Sequence, residues 1–174
     1  MKIFCVGRNY AAHAKELGND VPEEPVIFMK PKSALLQSHT PFYYPEFTNE
    51  LNYECELVLR ISKNGKYIQE KYASKYYNGI TVGIDFTARD IQNDLKAKGL
   101  PWEKAKAWDN SAVVGKWIDV KPEMNKKDVN FCLYKNPKRY QIFLTHRQNE
   151  NKYSAFAKHI NNALSFIAFG VTVQ

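Results

Sequence analysis

The sequence has few cysteines and no long apolar run. No apolar segment approaches the roughly 18 residues that a membrane-spanning helix needs, and the N-terminal segment MKIFCVGRNY contains no apolar stretch of signal-peptide length. The three cysteines are far apart, odd in number and not in the spacing of a metal site. These absences argue against an integral membrane protein, and we expect a reduced, cytoplasmic protein.

Several common catalytic motifs are also missing. The sequence contains no Gly-x-Gly-x-x-Gly segment or phosphate-binding loop, no Gly-x-Ser-x-Gly elbow and no His-Glu-x-x-His. A charged fraction of 25% and an aromatic fraction of 14% are atypical of a disordered chain. A length of 174 residues suits one globular domain.

The net charge of +7 is unevenly distributed along the chain. Residues 1–134 contain 19 Lys and Arg against 17 Asp and Glu, which leaves +2, whereas residues 135–174 contain six against one, which leaves +5. A basic nucleic-acid-binding segment is one explanation of that excess. The six basic residues follow no motif or arranged face, so we predict neither a nucleic-acid partner nor a membrane partner.

The segment from Tyr53 to Ile61 alternates between apolar and polar residues, which predicts a β-strand. Glu54 and Glu56 then point to the same face, about 7 Å apart along the backbone. A Mg²⁺ ion accepts carboxylate oxygens at about 2.1 Å and could bridge the two side chains. Taken alone, the pair is more typical of a solvated strand face.

Further elements follow this strand. Asn64-Gly65 predicts a type I′ hairpin turn, and Ile80 to Asp85 predicts a second strand. Thr87 to Asp90 is typical of a capping box that begins a helix, and Gly99 should end it. In the basic segment, apolar residues from Phe156 to Ile167 approximate a helical stripe.

Other candidate site residues are weak when each is taken alone. His13 and Glu16 would share a face of a helical turn, where the carboxylate could orient the imidazole. Lys106 lies between two tryptophans and could polarise an oxyanion, and Lys30 precedes a proline and could anchor a substrate. A surface pair is the more common explanation of His13 and Glu16. A position on a surface strand explains Lys106 at least as well, and Lys30 could simply face solvent.

In chain order, these residues fall in segments that resemble the fumarylacetoacetate hydrolase family. The most similar branch is the short acylpyruvate-hydrolase and oxaloacetate-decarboxylase type, which includes 2-hydroxyhepta-2,4-diene-1,7-dioate isomerases. The resemblance runs from Cys5 to about Asn136, and its segments are GRNYAAHAKELG, EPVIFMKPKSAL, NYECELVLRI and GITVGIDFTARDIQNDLKAKGLPWEKAKAWD.

The resemblance implies a β-rich α+β fold, a mixed β-roll, and a homodimer that binds Mg²⁺ or Mn²⁺ and a small 2-oxo-acid substrate. It implies a hydrolase that cleaves a C–C bond of acylpyruvate-type 2,4-dioxo acids through a metal-bound enolate, with oxaloacetate decarboxylation or 2-oxo-acid isomerisation or tautomerisation as alternatives. The implied residues are the metal ligands Glu54, Glu56 and Asp85, the substrate contacts Lys30, Arg89 and Gln92, and the catalytic residues His13, Glu16 and Lys106.

The resemblance stops near the point where the charge changes. Pro137 stands where the family has a turn glycine, and no Thr-Gly-Thr-Pro-like loop follows. We therefore divide the chain into a catalytic domain at 1–136 and a divergent basic tail at 137–174, for which a frameshift or truncation is our hypothesis. C-terminal strands are expected to be missing, and an inactive family member is a further alternative.

Overall fold

The computed structural model describes residues 1–7 and 26–121, together with the backbone of three later strands. Within this part of the chain, the strands are β1 (Lys2–Gly7), β2 (Val26–Lys30), β3 (Leu51–Ile61), β4 (Tyr77–Ala88), β5 (Ala112–Val114), β6 (Ile118–Asp119), β7 (Val129–Lys135), β8 (Lys138–Leu144) and β9 (Phe166–Phe169). The helices are α1 (Arg89–Ala97), α2 (Glu103–Lys106) and two 3₁₀ helices, Lys32–Ala34 and Glu70–Lys75. This content confirms the predicted β-rich α+β fold.

Seven of these strands form one mixed sheet in the order β2-β1-β9-β3-β4-β5, with β6 pairing β4 beside β5. The longest pairing joins β3 and β4, which are antiparallel from Leu51 opposite Ala88 to Ile61 opposite Tyr77. Strands β7 and β8 form a separate antiparallel pair. The centre of the β3–β4 pairing carries the residues of the candidate site.

Strand β9 lies inside the main sheet although it belongs to the basic tail. It runs parallel to β1 and antiparallel to β3, so that Ile167 is opposite both Ile3 and Arg60. The predicted helical stripe is wrong at Ile167, because pairing with two strands overrides a local 3.6-residue pattern. Two strands therefore follow residue 136, where the sequence analysis places its boundary.

The connection between β3 and β4 differs from the predicted hairpin turn. It contains the second 3₁₀ helix, and neither Asn64 nor Gly65 adopts a positive φ angle. A Cβ atom on Gly65 would lie 2.2 Å from Cδ1 of Ile68 and 2.5 Å from Cε1 of Tyr76. The glycine therefore serves close packing, and the type I′ prediction is wrong.

Apolar side chains cover both faces of the sheet. One face carries a buried cluster of Ile3, Cys5, Phe28, Val58 and Ala112. The other face carries a second cluster in which partly buried apolar residues surround Leu59. Because alternate residues of a strand point to opposite faces, Glu54 and Glu56 share the face of Val58, and the carboxylates lie next to the first cluster.

Helix α1 ends where the sequence predicts. Gly99 has a φ angle of +63°, and its N–H donates to the carbonyl of Lys96 while the N–H of Leu100 donates to the carbonyl of Leu95. This left-handed ending is typical of glycine after a helix. The chain then turns into α2, which carries Lys106 back towards β4.

None of the helices in the described part of the chain has the length and apolar character that crossing a membrane requires.

Candidate metal and substrate site

Three carboxylates converge on one face of the sheet. Glu54 and Glu56 project from β3, and Asp85 lies directly opposite Glu54 on β4. One oxygen from each of the three lies within 4.8 Å of the others. Asp85 is fully buried, Glu56 is 3% exposed, and the Glu54 side chain is 14% exposed. The structure therefore brings together the three predicted metal ligands.

Three cationic side chains offset the charge of these carboxylates. Lys106 lies 3.0 Å from Oε2 of Glu54 and 2.7 Å from Oδ2 of Asp85. Lys30 lies 2.8 Å from Oδ1 of Asp85, and Arg89 pairs with Oε1 of Glu54. Buried carboxylates are costly unless charge or hydrogen bonds compensate them, and this arrangement supplies both.

The ion pairs control the protonation of Glu54. Burial alone would raise the pKa of its carboxyl, but Lys106 and Arg89 outweigh burial and lower the pKa to about 2. Burial alone would likewise lower the pKa of Lys106, whereas the carboxylates of Asp85, Glu54 and Glu56 raise it. Both groups are therefore charged at neutral pH, and Glu54 is available as an anionic ligand.

Lys106 enters the site from the end of α2. It is 2% exposed, and its ammonium also donates to the hydroxyl of Thr87 over 2.5 Å. Thr87 in turn donates to Oε1 of Glu54 over 3.2 Å. The Lys106 side chain is therefore held among site groups, and the surface-strand alternative is wrong for it.

Arg89 and Gln92 lie side by side on the first turn of α1. Nη1 of Arg89 donates to Oε1 of Gln92 over 2.5 Å, as expected for residues three apart on a helix. Gln92 is only 3% exposed, so surface exposure does not explain it. Arg89 thus connects Glu54 to Gln92 along one edge of the site.

His13 and Glu16 lie outside the described residues. The capping box is wrong, because the N-cap is Ala88 and no side chain caps the helix. Thr87 binds Glu54 and Lys106 instead, and Asp90 accepts hydrogen bonds from the hydroxyl of Thr48 and the backbone N–H of Asn49.

Two polar residues of the site are not predicted from the sequence. Thr87 and Ser111 are both fully buried. Thr87 lies two residues after Asp85 on the same strand, so the alternation of a strand could have placed it on the site face. Ser111 contacts Lys30 and the carbonyl of Lys106, and no local pattern predicts that contact.

The donor set fits a hard divalent cation. Mg²⁺ and Mn²⁺ prefer carboxylate oxygens to nitrogen or sulfur ligands, and Glu54, Glu56 and Asp85 offer converging oxygens. The fully buried Asp85 is paired with Lys30 and Lys106, and burial of a carboxylate is rare without such pairing. Burial raises the pKa of the nearby Cys5 thiol, so that cysteine remains protonated and is a poor metal ligand.

A family model described as fumarylacetoacetate hydrolase C-terminal matches residues 2–169. The chain belongs to this family. The matched range extends beyond residue 136 and includes β7, β8 and β9. The origin of residues 137–174 stays a prediction, which resequencing of the locus can check.

Two curated relatives connect the chain to oxaloacetate chemistry. A mitochondrial oxaloacetate tautomerase of Arabidopsis thaliana is 50% identical over 108 residues, which are 62% of this chain and 48% of that protein. A mitochondrial oxaloacetate decarboxylase of Dictyostelium discoideum is 44% identical over 130 residues, 74% of this chain and 58% of that protein. The chain thus spans about half the length of these relatives.

A solved structure agrees with the fold over nearly the whole chain. A fumarylpyruvate hydrolase from Pseudomonas aeruginosa, solved in complex with Mn²⁺ and pyruvate, superposes with a TM-score of 0.84 at 31% identity. The superposition covers 99% of this chain and 77% of that one. These three similar proteins are enzymes of small oxo-acids.

Proposed function

We propose that the chain forms the divalent-metal site of an enzyme that acts on small 2-oxo acids, and that oxaloacetate tautomerisation is its reaction. The observation that carries the proposal is the cluster of Glu54, Glu56 and Asp85 with Lys106 beside it. The 50% identity to an oxaloacetate tautomerase supports this choice of substrate. These three carboxylates would hold Mg²⁺ or Mn²⁺.

When bound, the divalent ion supplies Lewis-acid polarisation of the 2-oxo group. Arg89 would hold the substrate carboxylate, because its guanidinium binds carboxylates with two parallel N–H donors. Gln92 contacts Arg89 and would fix its orientation. In the enol-to-keto direction, the enol oxygen releases its proton to water and the adjacent carbon takes up a proton from water. Lys106 would stabilise the negative charge on the substrate oxygen between these two transfers.

Hydrolysis of an acylpyruvate is the second candidate. It shares the development of negative charge and needs in addition a group that activates water. His13, oriented by Glu16, is the proposed base, and both lie outside the described residues. The superposition with a fumarylpyruvate hydrolase favours this candidate. Decarboxylation of oxaloacetate needs no attacking water and would use the same cationic groups.

A homodimer is part of the proposal. Three aromatic side chains that precede β3 are exposed in the single chain: Tyr43, Tyr44 and Phe47. Exposed aromatic clusters are typical of protein interfaces. Sedimentation analysis should give twice the mass of one chain, and a monomer at micromolar concentration would contradict this part of the proposal.

The enol-to-keto conversion of oxaloacetate, followed by absorbance, tests the proposed function. The wild-type rate should depend on Mg²⁺ or Mn²⁺ and disappear with a chelator. Glu54→Gln should remove the metal-dependent rate, whereas Glu70→Gln, at an exposed position outside the cluster, should retain it. Metal-independent turnover, or full activity of Glu54→Gln, would contradict the proposal. Loss of acylpyruvate absorbance under the same conditions tests the second candidate.

A further inference from the structure

The ammonium of Lys30 lies close to five protein oxygens and 5.5 Å from the centre of the Trp108 ring. Its side chain is fully buried, and its ammonium donates to the backbone carbonyl of Lys106, the carbonyl of Ser111 at 2.9 Å and the hydroxyl of Ser111 at 3.1 Å. The carbonyl of Phe86 lies at 3.3 Å, and Oδ1 of Asp85 at 2.8 Å. An ammonium has three N–H donors, so the four hydrogen-bonded oxygens already share all of them, and Oδ1 of Asp85 is held by charge alone.

The oxygens around Lys30 belong to residues of the candidate site and to their neighbours in the chain. Asp85 is a proposed metal ligand, and Phe86 is its neighbour on β4. The carbonyl of Lys106 lies at the end of α2, where the side chain of the same residue turns into the site. Ser111 also binds the end of α2, because its hydroxyl donates to the same carbonyl over 2.9 Å. Lys30, at the end of β2, thus contacts residues of β4 and the last residue of α2.

Lys30 and Lys106 pair with different oxygens of the Asp85 carboxylate. Lys30 pairs with Oδ1 and Lys106 with Oδ2. Oδ1 is therefore oriented from outside the site, which leaves Oδ2 towards Glu54. Groups that orient a metal ligand from behind, without touching the metal, commonly control its geometry.

We propose that Lys30 is a positioning residue that orients Asp85 and the end of α2, and that it does not contact the substrate. The proposal depends on the proposed function only in taking Asp85 as a metal ligand. A role as substrate anchor would require the ammonium to leave the carboxylate of Asp85 and the buried acceptors of Lys106 and Ser111. The desolvation of those oxygens would then be uncompensated, which opposes the movement.

Lys30→Met is the direct test, with Lys32→Met, an exposed lysine two residues away, as its matched control. At saturating Mn²⁺, Lys30→Met should lower kcat for oxaloacetate at least about tenfold, as for other groups that orient metal ligands. Pyruvate affinity at saturating Mn²⁺ should stay within threefold of wild type. The electron paramagnetic resonance spectrum of bound Mn²⁺, recorded without any oxo acid, should change its line shape.

The opposite pattern would overturn the proposal. A substrate anchor predicts a loss of pyruvate affinity by more than tenfold with an unchanged Mn²⁺ spectrum in the absence of oxo acid. Ser111→Ala keeps the proposal testable if Lys30→Met fails to fold, since it removes one partner of Lys30 and no charge. It should lower kcat severalfold and alter the Mn²⁺ spectrum in the same direction, and a wild-type spectrum and kcat would contradict the proposal.

The same experiment separates this proposal from the proposed function. Wild-type protein that binds no Mn²⁺ would contradict the metal site and with it the role of Lys30. Wild-type protein that binds Mn²⁺ but does not convert oxaloacetate would contradict the proposed reaction alone. The Mn²⁺ spectra of Lys30→Met and Ser111→Ala would still decide the role of Lys30.

Discussion

The ammonium of Lys106 lies 2.7 Å from Oδ2 of Asp85, on the side of that carboxylate that faces Glu54. In the metal-free protein, Lys106 thus neutralises part of the charge that a divalent ion would neutralise. Lys106 is also the group proposed to stabilise negative charge on the substrate. One side chain therefore has opposite effects on the binding of metal and the conversion of substrate.

Lys106→Met should separate these two effects. Removing the ammonium relieves its repulsion of a nearby divalent ion, so the dissociation constant for Mn²⁺ should fall roughly tenfold. Turnover should fall about 100-fold or more, the usual cost of losing a group that stabilises an oxyanion. Mn²⁺ titration and steady-state kinetics check these outcomes, with Lys104→Met, an exposed lysine of the same helix, as control. Weaker Mn²⁺ binding would show that Lys106 supports the metal ligands instead.

Thr87→Val tests the hydroxyl that joins Lys106 to Glu54. The substitution keeps the shape of the side chain and removes both hydrogen bonds, so the free energy of unfolding should fall by about 1–2 kcal/mol. Turnover should fall about tenfold, because the ammonium and the carboxylate lose a common partner. Urea denaturation and kinetics measure the two effects.

Thr81→Val is the matched control for Thr87→Val. Thr81 is buried on the same strand and the same face, but its hydroxyl donates to the carbonyl of Lys116 over 2.9 Å, away from the site. Thr81→Val should lower the free energy of unfolding by a similar amount and leave turnover unchanged. Equal losses of turnover in both variants would mean that Thr87 acts through general stability.

Strand periodicity predicts from the sequence only the part of the site that lies on a single strand. Glu54 and Glu56 follow from alternation along β3, and the register of β3 with β4 places Asp85 opposite Glu54. The position of Lys106 depends on the turn at Gly99 and on the entry of α2. Local pattern cannot supply such tertiary geometry: it marks Lys106 only as a lysine between two tryptophans, and the resemblance to a family adds its catalytic role.

The failures of prediction have physical causes. Thr87 fits a capping box by type and spacing, but its hydroxyl has stronger partners in a charged ammonium and a carboxylate. Gly65 resembles a turn glycine and instead allows a close approach of Ile68. In both cases long-range contacts override a local preference, and single-sequence analysis cannot detect them.

The depressed pKa of Glu54 predicts how the metal-free protein responds to acid. Because the folded pKa is about 2, below the ordinary 4.5, the ionised form stabilises the fold above pH 4.5, and this contribution is lost as the pH falls towards 2. The pKa difference corresponds to roughly 3 kcal/mol. The free energy of unfolding should therefore decline more steeply between pH 5 and pH 2 in wild type than in Glu54→Gln. Parallel profiles from urea denaturation would contradict this assignment, and Glu70→Gln should follow wild type.

Strand β9 predicts that part of the basic tail is needed for the fold. Ala168 is opposite Phe4 on one side and Leu59 on the other, so a proline there removes a ladder hydrogen bond from the interior of the sheet. Ala168→Pro should lower the melting temperature by several degrees or leave the chain aggregated, whereas Val173→Pro, beyond the strand, should have little effect. Thermal unfolding with size-exclusion chromatography measures both. A melting temperature of Ala168→Pro equal to wild type would mean that β1 and β3 do not depend on the tail.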